Sequence, residues 1–150
     1  MRMYSSHDNP VQILPMKPVF YILFLLPFFM FSQNTISVHV HNVPSTEGKV
    51  NVAVYDSGDT FLTFEGVVKT GTAPAQEGVV MLNIENLPPG EYAVAVFHDQ
   101  NGNDILDTNW LGIPKEKVAF SKAKMKTFGP PKYKECCFKV TRDTEIDVMF

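Results

Sequence analysis

The sequence predicts an all-β domain, a sandwich or barrel of about seven short strands. Three observations predict it. Apolar residues recur at every second position in several short runs, the period of a half-buried strand. Polar turns rich in Gly, Pro, Asn and Asp separate those runs. Beyond the N-terminal segment, no stretch holds a 3.6-residue period for about ten residues. Pro114 to Phe120 comes nearest and is too short.

The chain opens differently. Lys17 precedes an unbroken apolar run, Val19 to Phe31, which closes at Ser32-Gln33-Asn34. A membrane-spanning helix needs roughly 20 apolar residues and a signal-peptide core roughly 7–15. A positive start, a short apolar core and a small residue at its end predict a signal peptide over residues 1–32, with Met16 as its natural start and cleavage after Ser32. Its removal on export would leave residues 33–150 as a single domain in the periplasm, the outer envelope or the medium, with no membrane span. Both cysteines lie far from that cleavage point, which argues against a lipid anchor. The alternative is a membrane anchor that stays attached.

Charge excludes one class of partner. With 13 Lys and Arg against 16 Asp and Glu, the net charge is -3, and no basic cluster is expected that would suggest nucleic acid. The two cysteines, Cys136 and Cys137, are adjacent. Neighbours on a strand face opposite sides, so one thiol is expected in the core and one toward solvent, unbridged.

The strands follow in order. In Thr35–His41, Ile36, Val38 and Val40 share one face, and Ser37, His39 and His41 the other. Gly48–Asp56 repeats the pattern with Val50, Val52 and Val54, then breaks at Ser57-Gly58-Asp59. Gly78–Glu85 is the next run. Asn86-Leu-Pro-Pro-Gly90 makes a stiff turn into Glu91–Phe97, which is apolar on both faces and so predicted to be central. Lys134–Val140 and Thr144–Phe150 complete the set. Between the central strand and these last two lies a long excursion, Leu106 to Tyr133, with little strand pattern. Loops of that length in compact domains are usually functional or mobile.

Several of these residues together carry a resemblance. Leu87-Pro-Pro-Gly-Glu-Tyr-Ala-Val-Ala-Val-Phe-His-Asp99, Asn101-Gly-Asn103, Asp107-Thr-Asn109, Leu111-Gly-Ile-Pro-Lys-Glu116 and Phe128-Gly-Pro-Pro131 resemble the DUF2141 family of small exported bacterial proteins. The resemblance spans most of residues 33–150. It implies a prealbumin-like Greek-key β-sandwich and an envelope or secreted location, and it implies no activity. The chain departs from the family pattern at Asp104, where glycine is usual, and at Ala119-Phe120-Ser121, where Gly-Phe-Ser is usual. In other prealbumin-like modules the tyrosine of Pro-Pro-Gly-x-Tyr packs into the sandwich, so Tyr92 is expected in the core.

Candidate chemistry concentrates after the central strand. Asp99, Asn101, Asn103 and Asp107 match positions 1, 3, 5 and 9 of a calcium loop, with the Ile105 carbonyl at position 7. A tightly wound loop brings side chains two apart onto one concave side, and Ca²⁺ prefers six to eight hard oxygens. Against this, position 12 is Trp110 rather than a bidentate glutamate, and position 6 is Asp104 rather than glycine. The competing expectation is a polar turn closed by Asn and Asp on their own backbone. Any calcium affinity would be weak, roughly 10⁻⁴–10⁻³ M.

His98 precedes the loop and could act with Asp99 and Asp107 in acid–base chemistry or as a transition-metal ligand, or bind a small ligand. His39 and His41 share a strand face and could pair on a metal. The only tryptophan, Trp110, could stack on a sugar if exposed; the commoner role is to cover a sandwich edge. No nucleophile elbow or phosphate-binding glycine loop is present.

Three functions compete on these observations. The first is an exported non-catalytic module, binding or structural, with an envelope or extracellular partner. The second is a periplasmic enzyme with its site at His98, Asp99 and Asp107. The third is a calcium-dependent carbohydrate binder using Trp110, with a glycan as ligand.

Overall fold

The computed structural model describes residues 33–150; the predicted signal segment, residues 1–32, lies outside the described residues. Eight strands run in order: β1 Asn34–Val43, β2 Lys49–Tyr55, β3 Val67–Pro74, β4 Gly78–Leu87, β5 Gly90–Asp99, β6 Val118–Phe120, β7 Phe138–Val140 and β8 Thr144–Met149. Among the described residues a single four-residue helix, α1 (Tyr133–Cys136), precedes β7. The fold is a two-sheet β-sandwich. One sheet has the order β4-β1-β8, and the other β3-β2-β5-β6 with β7 also pairing β5. β1 runs antiparallel to β4 and parallel to β8.

The period-2 pattern places the core. Ile36, Val38 and Val40 of β1, Val50, Val52 and Val54 of β2, Val80, Leu82 and Ile84 of β4, and Tyr92, Val94 and Val96 of β5 are all buried between the sheets. Each fully buried side chain of this kind contributes roughly 1.5–3 kcal/mol relative to exposure. Tyr92 packs there as expected, its hydroxyl donating to the Pro88 carbonyl at 2.8 Å. Its ring lies against Gly90, where a Cβ would come within 3.1 Å of it. A side chain at position 90 would have to push the Tyr92 ring aside by a few tenths of an ångström.

β5 is central in a stronger sense than its position in the order. β2 flanks one edge; the other is divided between β7, on Gly90–Tyr92, and β6, on Ala95–Phe97. Its second face is covered too: Ala93 packs with Phe120 and Cys136, and Phe61 and Tyr133 close over them. Apolar residues on both faces of Glu91–Phe97 follow directly.

The strand count is eight rather than about seven, and three expectations about the elements need correction. β3 was not anticipated because it is an edge strand with most of its residues exposed, so no apolar alternation marks it. β6 lies inside the stretch read as one long loop. Lys134–Cys137, expected to begin a strand, instead forms α1 and its C-terminal cap; the strand starts at Phe138. The Glu135 carboxylate accepts the Lys132 backbone N–H at 2.8 Å and so closes the first turn.

Cys136 is buried, Cys137 half-buried, and both are free thiols. One inside and one outside was expected, but the end of a short helix produces it, not strand alternation. Burial pushes the Cys136 thiol up to about 11, and it also raises Cys137. Neither is poised as a nucleophile.

No helix among the described residues is long and apolar enough to cross a membrane.

Candidate functional site

The Asp99–Glu116 loop grows from the end of β5. Asp99 is the last residue of that strand and 0% exposed. Its Oδ1 accepts from the backbone N–H groups of Gly102 (2.8 Å) and Asn103 (3.1 Å). Its Oδ2 accepts from the Asp104 N–H (2.8 Å) and the Asn51 side-chain amide (3.3 Å). A buried carboxylate is costly unless its oxygens are paired, and here four donors pair them. Three of those donors are the backbone of the loop itself, so Asp99 folds the chain around its own charge.

The following side chains repeat the pattern at smaller scale. Asn101 Oδ1 accepts from Asn103 N at 3.1 Å, and Asn103 Oδ1 from Ile105 N at 2.9 Å. Their amide nitrogens converge on Asp107 Oδ2, at 2.7 and 3.5 Å. Asp104 takes the positive φ, 63°, that position 6 was expected to need, and Lys49 of β2 anchors its carboxylate at 2.6 Å.

Two further contacts fix the base of the loop. Glu116 Oε1 accepts from Gln100 N and Oε2 from Asp107 N, both at 3.1 Å, so one carboxylate clamps the two limbs together. Gly48, with φ 69°, presses on the backbone of Asp99; a Cβ there would fall 1.9 Å from the Asp99 carbonyl oxygen.

The far end of the loop is built as tightly. Asn109 Oδ1 accepts from Leu111 N (2.9 Å) and Ile113 N (3.0 Å). The Asn109 N–H donates to Ile113 O, and Gly112 N–H to Asn109 O, both at 2.9 Å. This ordered turn holds its apolar side chains outward: Trp110 is 89% exposed, Leu111 60% and Ile113 55%. Trp110 was expected to cover the sandwich edge, and it does not. The turn closed on Asn109 carries it into solvent.

His98 does not join this group. It is 0% exposed and stands on the core-facing side of β5 with Val94 and Val96, one residue before Asp99 and therefore on the opposite face. Its Nε2 meets the Glu47 carbonyl at 2.8 Å and Nδ1 has no partner. The structure thus brings Asn101, Asn103 and Asp107 together, stacks Asp99 beneath them on the backbone, and leaves His98 inside. Ile105 contributes its N–H to Asn103, and its side chain is 65% exposed.

On the other sheet, His41 Nε2 lies 2.7 Å from Asp147 Oδ1, while His39 Nε2 is buried without a partner. Among the described residues, no group of three or more His, Cys, Asp or Glu is arranged to hold a metal ion.

Sequence reasoning missed Glu116, Asn109, Lys49 and Gly48. Only Asn109 carried a readable signal, an Asn two residues before Leu111-Gly112 in a turn-forming stretch. The others act across chain separations that no local pattern records.

A family model described as "Uncharacterized protein conserved in bacteria (DUF2141)" matches residues 38–147, from within β1 to within β8. Neither the curated proteins nor the solved structures give a match.

Proposed function

We propose, on the premise that this chain belongs to the DUF2141 family, that it is an exported, non-catalytic binding module of the cell envelope. In this reading it contacts its partner through the Trp110–Ile113 tip. One observation carries the proposal. Four hydrogen bonds to Asn109 order the tip's backbone, while Trp110, Leu111 and Ile113 stand in solvent. A pre-ordered loop displaying a rigid aromatic loses little entropy on binding, which is the property of a recognition loop.

Export is supported by Lys17 and the apolar run after it. The finer fold, a prealbumin-like Greek key, is supported by the connections β1–β2, β3–β4 and β4–β5, each of which crosses from one sheet to the other. The partner class that fits best is an envelope or extracellular glycan, whose sugar faces match an exposed indole. An enzyme reading would need His98 beside Asp99 and Asp107, and the alternation of β5 turns it away from both.

Trp110 is the only tryptophan, so intrinsic fluorescence reports on the tip alone. Titration with solubilised envelope polysaccharide should give a saturable change in emission, and Trp110→Ala should abolish retention on the immobilised polysaccharide without changing the melting temperature. Emission indifferent to every envelope fraction would sink the proposal. Export is checked separately by mass spectrometry, which should find a mature N-terminus near Gln33.

A second reading, a weak Ca²⁺ site, is favoured by the convergence of Asn101 and Asn103 on Asp107. An ion there would compete with the backbone donors for Asp99. If it binds with a Kd near 10⁻⁴ M, about 10 mM calcium stabilises the fold by roughly 2.7 kcal/mol, and the melting temperature rises by roughly 10 °C. A shift under about 1 °C leaves the loop as a turn closed on itself.

A further inference from the structure

The overall charge of -3 conceals a segregation. Lys115 to Arg142 contains nine of the 13 Lys and Arg residues and two acidic residues, Glu116 and Glu135. All nine basic side chains are exposed. Among the described residues, Lys126 is the only one of the nine in salt-bridge contact, with Glu135 at 2.7 Å.

Within this segment the chain makes a short tip. Lys126 N–H donates to Gly129 O at 3.1 Å, which closes a turn through Thr127 and Phe128. Phe128 is 100% exposed and Met125 40%. Gly129 has nothing within 4 Å of where a Cβ would stand, and Pro130-Pro131 stiffens the exit. The turn is tied to the domain through Glu135, which holds both Lys126 Nζ and the Lys132 N–H. Next to it, Lys122 and Lys124 border an apolar groove of about 240 Å³ lined by Phe120, Ala123 and Met149, with Asp147 at its rim. Asp147 is already engaged by His41.

We propose that the 122–134 segment docks on an anionic lipid surface. Phe128 enters the head-group boundary, and Lys122, Lys124, Lys126, Lys132 and Lys134 meet the lipid phosphates. A solvent-surrounded aromatic in a segment whose exposed lysines, Lys126 apart, make no salt bridge among the described residues matches a surface that is negatively charged and penetrable. A nucleic acid would instead call for aromatic faces set along a groove, whereas here a single ring projects from a turn. The inference is independent of the Trp110 reading, which concerns a different loop.

The test uses the full chain carrying Trp110→Phe and Phe128→Trp, so that emission reports on position 128 alone. Vesicles of phosphatidylcholine are compared with vesicles of phosphatidylcholine and phosphatidylglycerol, two parts to one. The N-terminal apolar run is the same in every arm, and the Lys→Glu substitutions below separate its contribution from that of the 122–134 segment. The expected result is a blue shift on the anionic vesicles, quenched by brominated lipid and titrating at least about tenfold tighter than on the neutral ones. Raising the salt to about 0.5 M should weaken it, because exposed charges are screened. Adding Lys124→Glu and Lys134→Glu should abolish it. The proposal is overturned if anionic vesicles leave the emission unchanged, or if neutral vesicles shift it equally. It is also overturned if soluble heparin reproduces the shift, which would make the segment a general polyanion site.

Discussion

The Asp99–Glu116 loop and the Ser121–Lys132 segment are both long, polar and outside the sheets, yet their charges are used in opposite ways. In the first, two carboxylates face inward onto backbone N–H groups: Asp99 holds Gly102, Asn103 and Asp104, and Glu116 holds Gln100 and Asp107. In the second, Ser121 ties the chain to β5 and to the Cys136 carbonyl, one exposed carboxylate, Glu135, closes the turn, and the lysines point to solvent. The residues that most resemble a ligand set, Asp99, Asn101 and Asn103, are thus the ones whose acceptors the loop itself already occupies. Side chains without a partner inside the fold are the ones left to meet a partner outside it. In these loops those are the Trp110 tip and, Lys126 apart, the exposed lysines of the 122–134 segment.

The comparison predicts a gradient of mutational effects. The largest belongs to Asp99→Ala, which strands the Gly102 and Asp104 N–H groups and the Asn51 amide and leaves Asn103 N–H only its Asn101 acceptor. Each such loss costs about 1–3 kcal/mol where water cannot replace the partner. Net destabilisation of about 3 kcal/mol is expected, seen as a fall of roughly 10 °C in the melting temperature. A variant as stable as wild type would show that the carboxylate does not organise the loop.

The next effect is in pH. The Cys136 thiol, ordinarily near 9.0, is held up at about 11 by burial. A group raised in this way keeps its proton in the fold where the unfolded chain has lost it. Stability is therefore complete below the unfolded value and falls as pH rises from about 9 toward about 11. The loss is on the order of 2 kcal/mol. Urea titrations at pH steps across that window should show it, and Cys136→Ala should flatten the slope even though it lowers stability at neutral pH.

Glu116→Gln comes third. It keeps one acceptor oxygen and loses the other together with the charge, a cost of about 1 kcal/mol. Hydrogen exchange should speed up at Gln100 and Asp107 and stay unchanged at the lysine turn. Smallest are Trp110→Ala and Phe128→Ser, each within about 0.5 kcal/mol of wild type, because neither side chain packs on the domain. A stability loss well beyond that in either would place its ring in the architecture and remove it from the binding surface.

Much of the fold was legible in the sequence, and the reason is specific. β1, β2, β4 and β5 have one or both faces against the core, so the period-2 burial had to be written into them: Ile36, Val38 and Val40, for example, could be assigned a common face before any coordinates. β3 escaped because an edge strand with exposed side chains needs no such pattern. α1 escaped because four residues are too few to show a helical period, and because Lys132 and Glu135, which close its first turn, lie in a stretch that also fits a strand. In the candidate loop, the turn chemistry of Asn101, Asn103 and Asp104 could be read locally, including the positive φ at Asp104. Whether Asp99 faced an ion or its own backbone could not.

By itself, the sequence determined what depends on neighbours along the chain: alternation, turn positions, the stiff Pro-Pro-Gly entry to β5, and the apolar N-terminal run. The tertiary structure alone decided what depends on distant residues. It turned His98 into the core by the phase of β5, brought Glu116 across to clamp Gln100 and Asp107, and set Gly48 against the Asp99 backbone. It also left Trp110 and Phe128 in solvent. Periodicity specifies which side of a strand a residue takes, but whether anything covers that side depends on chain that arrives from elsewhere, and no local pattern encodes its arrival.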